Sequence, residues 1–122
     1  MSKSAKPSAH TEWKRNLTWL RDNIGEYNVW VLSGSTGDES VVQDWVSGRK
    51  KPRPGEKLKM ALAYKVVNRI ADTKGRAVAR AWFIGKVKSN QSPCEALGQG
   101  LIGKFEELAD EISHKHPLPT PE

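Results

Sequence analysis

Gly37-Asp-Glu-Ser-Val-Val-Gln-Asp-Trp-Val-Ser-Gly-Arg-Lys-Lys-Pro-Arg-Pro54 is the stretch that decides the fold, because it joins a short capped helix to a basic arm stiffened by proline. Asp38 suits an N-cap, where its carboxylate accepts from a first-turn N–H that has no helical partner. Gly48 supplies a left-handed stop, a conformation that most side chains resist. The caps enclose a helix of about three turns. Val42 and Trp45 share a face suited to a core, with Val46 one turn on from Val42. Glu39, Ser40, Gln43 and Asp44 fall largely on the other side. Arg49, Lys50, Lys51 and Arg53 then follow within five residues, and Pro52 and Pro54 restrict how the arm can fold away. A hydrogen-bonding helix face beside a cationic arm points to a polyanionic partner.

Upstream, Thr11 is placed to cap a first helix. Trp13, Leu17, Leu20 and Ile24 recur at the spacing of one buried stripe, Trp19 lies off it, and Gly25 ends it. Tyr27–Leu32 is a short apolar segment whose Val29-Trp30-Val31 centre suits a strand or a helix. A strand would find no obvious pairing partner in the chain, which favours the helix. Downstream, Pro54 opens a long helix with Leu58, Leu62, Tyr64, Val66, Val67 and Ile70 on its apolar face. Lys57 and Lys59 adjoin the basic arm and extend its expected phosphate contact, while Lys65 and Arg69 read as solvated surface. Gly75 is the expected hinge. Beyond it Ala77, Val78, Ala81 and Trp82 predict an alanine-rich helix to about Ile84, followed by a polar loop from Gly85 to Gln91. Ser92-Pro-Cys-Glu95 has the capping-box spacing, and a last helix runs from about Gly103 through Phe105, Leu108, Ala109 and Ile112, with Pro117 and Pro119 closing ordered structure.

Val42, Trp45, Ser47, Gly48, Arg49 and Pro52 resemble the end of the recognition helix and the following loop in phage-repressor-like, Xre-type helix-turn-helix proteins. The resemblance implies an all-α fold: a helix-turn-helix bundle with an appended C-terminal helical unit. It also implies that the second helix of the motif enters the major groove of double-stranded DNA and that the loop beyond grips phosphate. Glu39, Ser40 and Gln43 become base-edge candidates, and Arg49, Lys50, Lys51, Arg53 and Lys57 phosphate candidates. The run Asn28–Gly37, with two glycines and a polar stretch, implies a turn longer than the family's usual one. A second resemblance, carried by Ala81-Trp82-Phe83 and Ser92-Pro93 through Leu97, is to the C-terminal segment of Xre/MbcA/ParS-type antitoxins. It implies a unit that pairs subunits as a homodimer or covers a toxin.

These readings divide the chain into a basic disordered tail at 1–10, a DNA-binding domain at 11–72, a helical unit at 73–116 and a disordered tail at 117–122. The charge balance supports an anionic partner: 20 Lys and Arg against 14 Asp and Glu give a net +6. Cys94 is the one cysteine, which excludes an intramolecular disulfide, and no Cys/His spacing resembles a zinc site. No run approaches the roughly 20 apolar residues of a membrane span, and residues 1–10 lack the apolar stretch of a secretory signal. A cytoplasmic, nucleoid-associated protein without membrane or cofactor is expected. No set of residues reads as a catalytic constellation: Cys94 lacks a local His or Asn partner, His114 and His116 lack further ligands, and no phosphate-cradling glycine motif is present. The reading is a non-enzymatic, sequence-specific transcriptional regulator acting as a repressor, with an antitoxin as the alternative.

Overall fold

The computed structural model describes residues 9–85 and 91–114, with the side chains of 9–11 and 114 excepted. It is all-helical over those residues: α1 (Ala9–Ile24), α2 (Glu26–Ser33), α3 (Ser40–Ser47), α4 (Pro54–Lys74), α5 (Arg76–Ile84), α6 (Pro93–Gly98) and α7 (Ile102–His114). Of the basic tail expected at 1–10, residues 1–8 lie outside the described residues, while Ala9 and His10 are instead the first residues of α1. The tail expected at 117–122, residues 115–116 of the expected helical unit and most of the polar loop, 86–90, also lie outside them.

α1 buries the expected stripe of Trp13, Leu17, Leu20 and Ile24. It begins at Ala9, so Thr11 lies inside the helix and does not cap it. Gly25, at φ 90°, turns the chain directly into α2, whose Val29 and Leu32 are fully buried. The Val29-Trp30-Val31 segment is therefore helical, as its lack of a pairing partner implied. Off the α1 stripe, Trp19 packs edge-on against Tyr64 of α4 with ring centroids 5.3 Å apart.

α4 is the longest helix and packs against α1, α2, α5 and α6. Its buried stripe is Met60, Ala63, Val66, Val67 and Ile70. The expected Leu58 is instead exposed, and Leu62 and Tyr64 are only half-buried. The Glu56 carboxylate accepts from the Arg53 N–H at 2.7 Å, closing the first turn that Pro54 opens. Gly75, at φ 97°, separates α4 from α5 as expected.

α5 forms over the expected span and ends at Ile84. Ala79 and Phe83 are buried, whereas Ala77, Val78 and Ala81 are exposed and Trp82 is half-buried. Phe83 meets Phe105 of α7 edge-on at 6.2 Å, and Trp82 lies 6.1 Å from Phe105. The capping box of α6 forms as read: the Glu95 N–H donates to Ser92 Oγ at 3.0 Å and the Ser92 N–H to Glu95 Oε1 at 2.9 Å.

One cluster of buried side chains runs from Trp13 through Val42 and Trp45 to Phe83, Leu97, Phe105 and Ala109, so all seven helices described share a core. α6 is wedged against α2, where the Cys94 thiol donates to the Asn28 carbonyl at 3.3 Å. Gly98 lies so close to the Val31 carbonyl that a Cβ would collide with it. The Lys59 ammonium donates to the Gly98 carbonyl at 3.0 Å, which places it at the α2–α6 junction and away from the basic arm.

Candidate nucleic-acid interface

α3 packs against α1 and α2 through Val42 and Trp45, which are 0% and 2% exposed. Val46, expected beside them, is 42% exposed instead. Gly48 caps the helix as expected, but the N-cap is Glu39, whose side chain makes no capping bond, and not the expected Asp38. Asp38 instead accepts from the Ser40 N–H at 2.9 Å and from the Ser40 hydroxyl, closing a turn just ahead of the helix. The Val41 and Val42 N–H groups donate to the carbonyls of Asp38 and Glu39. The bond from the Ser40 hydroxyl, and after it the bond from the Ser40 N–H, hold the Asp38 carboxyl below its ordinary 3.8. Gly48 ends the helix in the left-handed region at φ 85°, its N–H donating to Trp45.

The segment 34–39 between α2 and α3 is held by its own polar groups. The Trp30 indole N–H donates to the Gly37 carbonyl at 2.9 Å. Ser33 Oγ accepts from the Ser35 N–H, and Ser35 Oγ accepts from the Gly37 N–H. Gly34 takes φ 70°, and a Cβ there would meet both the Gly98 carbonyl and the Lys59 ammonium. The polar run with two glycines is thus a built turn, pinned by hydroxyls where a tighter turn would use fewer residues.

The base-edge candidates Glu39, Ser40 and Gln43 are all exposed. Gln43 Nε2 donates to the Glu26 carboxylate at 2.6 Å, fixing the amide against the first turn of α2. Glu26 was not singled out from sequence, and a contact across seventeen residues has no local pattern that would announce it.

The phosphate candidates divide into three groups. Arg49 and Lys50 both reach Asp44, at 3.0 Å and 3.8 Å. Arg49 and Lys50 remain exposed at the end of α3, and ion pairs of this kind are worth only about 0–1 kcal/mol, so an incoming anion can displace them. The side chains of Lys51 and Arg53 form no ion pair with a described residue and are exposed, on either side of the buried Pro52. Burial of that one ring anchors the arm while its neighbours project outward. Lys57 is half-buried in the first turn of α4.

Elsewhere the chemistry is quiet. Burial in the α2–α6 junction, reinforced by the neighbouring Glu95 charge, pushes the Cys94 thiol up to about 12, so it is neutral and unreactive near neutral pH. Among the described residues no group of three His, Cys, Asp or Glu side chains is placed to hold a metal ion. None of the described helices is long and apolar enough to cross a membrane. No protein-family model, curated protein or solved structure matches the chain.

Proposed function

We propose that the chain is a sequence-specific, double-stranded DNA-binding transcriptional regulator of helix-turn-helix type, acting as a repressor of phage-immunity or autoregulatory kind. The observation that carries the reading is the division of α3 between a face buried through Val42 and Trp45 and an exposed face bearing Glu39, Ser40 and Gln43. The exposed basic arm begins immediately after the left-handed Gly48. A helix seated this way presents hydrogen-bonding groups to a major groove while its C-terminal arm reaches the phosphate rail. Gln43 suits a bidentate contact to adenine, and Glu39 suits acceptance from a cytosine amino group. Lys51 and Arg53 neutralise phosphate first, and Arg49 and Lys50 follow by exchanging Asp44 for it.

Randomised-duplex selection with the purified full chain tests the reading, and a symmetric motif would report a homodimer on its site. Neutralising four to six phosphates gives a slope of log affinity against log salt of about −4 to −5. Lys51→Ala with Arg53→Ala should flatten that slope by about 2 and weaken all duplexes alike. Failure of every duplex to bind in dilute buffer removes the proposal.

A second reading, an antitoxin whose C-terminal helices cover a toxin, is favoured by one observation. α5 leaves Ala77, Val78 and Ala81 exposed, and Leu101 is 42% exposed at the start of α7. A toxin encoded beside this chain, and bound less tightly by Val78→Glu, would support it.

A further inference from the structure

The residue that fits least well into a purely structural account of the bundle is Asn16. It lies on α1, is 3% exposed and faces α4. Its Oδ1 accepts from the Arg15 guanidinium at 3.1 Å, whereas its Nδ2 has no acceptor among the described residues. A buried amide left without a partner costs about 1–3 kcal/mol, and such a group in a folded protein calls for an explanation. Asn16 also lines a groove of about 470 Å³ between α1 and α4, within the size range of built binding sites.

The walls of that groove are ordered. The Arg15 guanidinium stacks on the Tyr64 ring, 4.6 Å from its centroid, so its position is set from below while its edge stays available. Across from it, Lys65 and Arg69 are exposed on α4, and neither has an acidic partner among the described residues. Glu12 and Asp72 also line the groove. Their carboxylates disfavour a duplex, whose phosphates are too evenly charged to avoid them. A narrow strand with spaced charges meets no such difficulty, and only a slender chain can place a carbonyl against an amide as buried as Asn16.

We propose that the groove between α1 and α4 binds an extended acidic peptide segment of a protein partner. A main-chain carbonyl of the segment accepts from Asn16 Nδ2, and its Asp or Glu side chains pair with Arg15, Lys65 and Arg69. From Ala61 to Asp72 the α4 wall spans about 16 Å, which accommodates about five extended residues. The site is separate from the α3 face and does not depend on DNA binding.

A random decapeptide display library, selected on the purified full chain, tests this directly. Asp- and Glu-rich sequences should be enriched. Their affinity should fall at least tenfold in the double variant Lys65→Glu, Arg69→Glu, whose positions are exposed and leave the fold unchanged. Asn16→Leu should weaken the same peptides several-fold with little change in the melting temperature, because the one bond it loses is that from the exposed Arg15, and relief of the unpartnered Nδ2 offsets it. No acidic enrichment, equal binding by the charge-reversed variant, or displacement of the peptides by a random-sequence duplex would each overturn the proposal.

Discussion

α3 and α6 are both short helices, and they are held in opposite ways. α3 buries Val42 and Trp45 and leaves most of its surface to solvent, whereas α6 buries Pro93, Cys94, Ala96 and Leu97 of its six residues. α6 packs against α2, α4, α5 and α7, while α3 packs against α1 and α2 at the edge of the bundle. A helix enclosed on nearly every side can brace but cannot present. A helix fastened through two large side chains, with a polar turn at Asp38 before it and a glycine cap after it, can present the rest of itself to a ligand without loosening the core. The contrast is one of exposure against enclosure, it underlies the recognition role proposed for α3, and it can be broken at either end.

The largest expected effect comes from removing the fastening of α3. Trp45→Ala should cost about 3–5 kcal/mol, the usual range for truncating a buried aromatic. Thermal unfolding measured at several salt concentrations checks this, because a loss of stability that persists in salt cannot be assigned to the basic arm. A loss below 1 kcal/mol would mean that the turn at Asp38 and the glycine cap alone hold α3 and would weaken the contrast.

Gly98→Ala probes the brace. A Cβ at Gly98 would strike the Val31 carbonyl and so drive α6 from the C-terminal turn of α2. Overpacking of this kind typically costs about 1–3 kcal/mol. Because neither Val31 nor Gly98 lies on the exposed face of α3, duplex affinity per folded molecule should be retained well below the melting temperature. A loss of affinity without a loss of stability would show that α6 sets the position of the 34–39 turn as well as the stability of the bundle.

The legibility of these helices in the sequence follows from how much each residue buries. In α3 the large Trp45, the branched Val42 and an unambiguous glycine stop agree on one face, so the helix, its two buried anchors and the exposure of Glu39, Ser40 and Gln43 were readable, while Val46, at the margin of that face, was not. In α5 the residues that marked the helix in the sequence are mostly alanines, which bury little area and so leave its buried side undecided. Phe83 decides it instead by joining Phe105, which turns Ala79 inward and Ala77 and Ala81 outward. α4 misleads for a related reason. With neighbours on several sides, Met60 is as good a core residue as Leu58, and only the path of the other helices chooses between them. At the candidate interface, the basic arm was legible from composition, but its internal pairing through Asp44 was not. The partners of Gln43 and Lys59 lie on other helices, and Asn16 Nδ2 has no acceptor among the described residues.

The smallest expected effect is the sharpest test of what α3 presents. The bond from Gln43 to Glu26, at 2.6 Å, fixes the amide by a carboxylate acceptor, and a hydrogen bond to a charged group in the open contributes on the order of 1 kcal/mol or less. Gln43→Ala should relax preference at one base pair by about 1–3 kcal/mol if the amide reads adenine. Glu26→Ala leaves that amide in place but frees its orientation, so it should relax the same base pair and no other, by a smaller amount, on the order of 0.5 kcal/mol. It also removes a negative charge near the duplex and should raise affinity for all sequences slightly. Comparing wild type and Glu26→Ala on duplexes altered one position at a time separates the two consequences, since the first is confined to one position and the second is uniform. If the two variants relaxed different base pairs, the amide held by Glu26 would not be the group that reads DNA, and the recognition surface of α3 would have to be sought nearer Glu39 and Ser40.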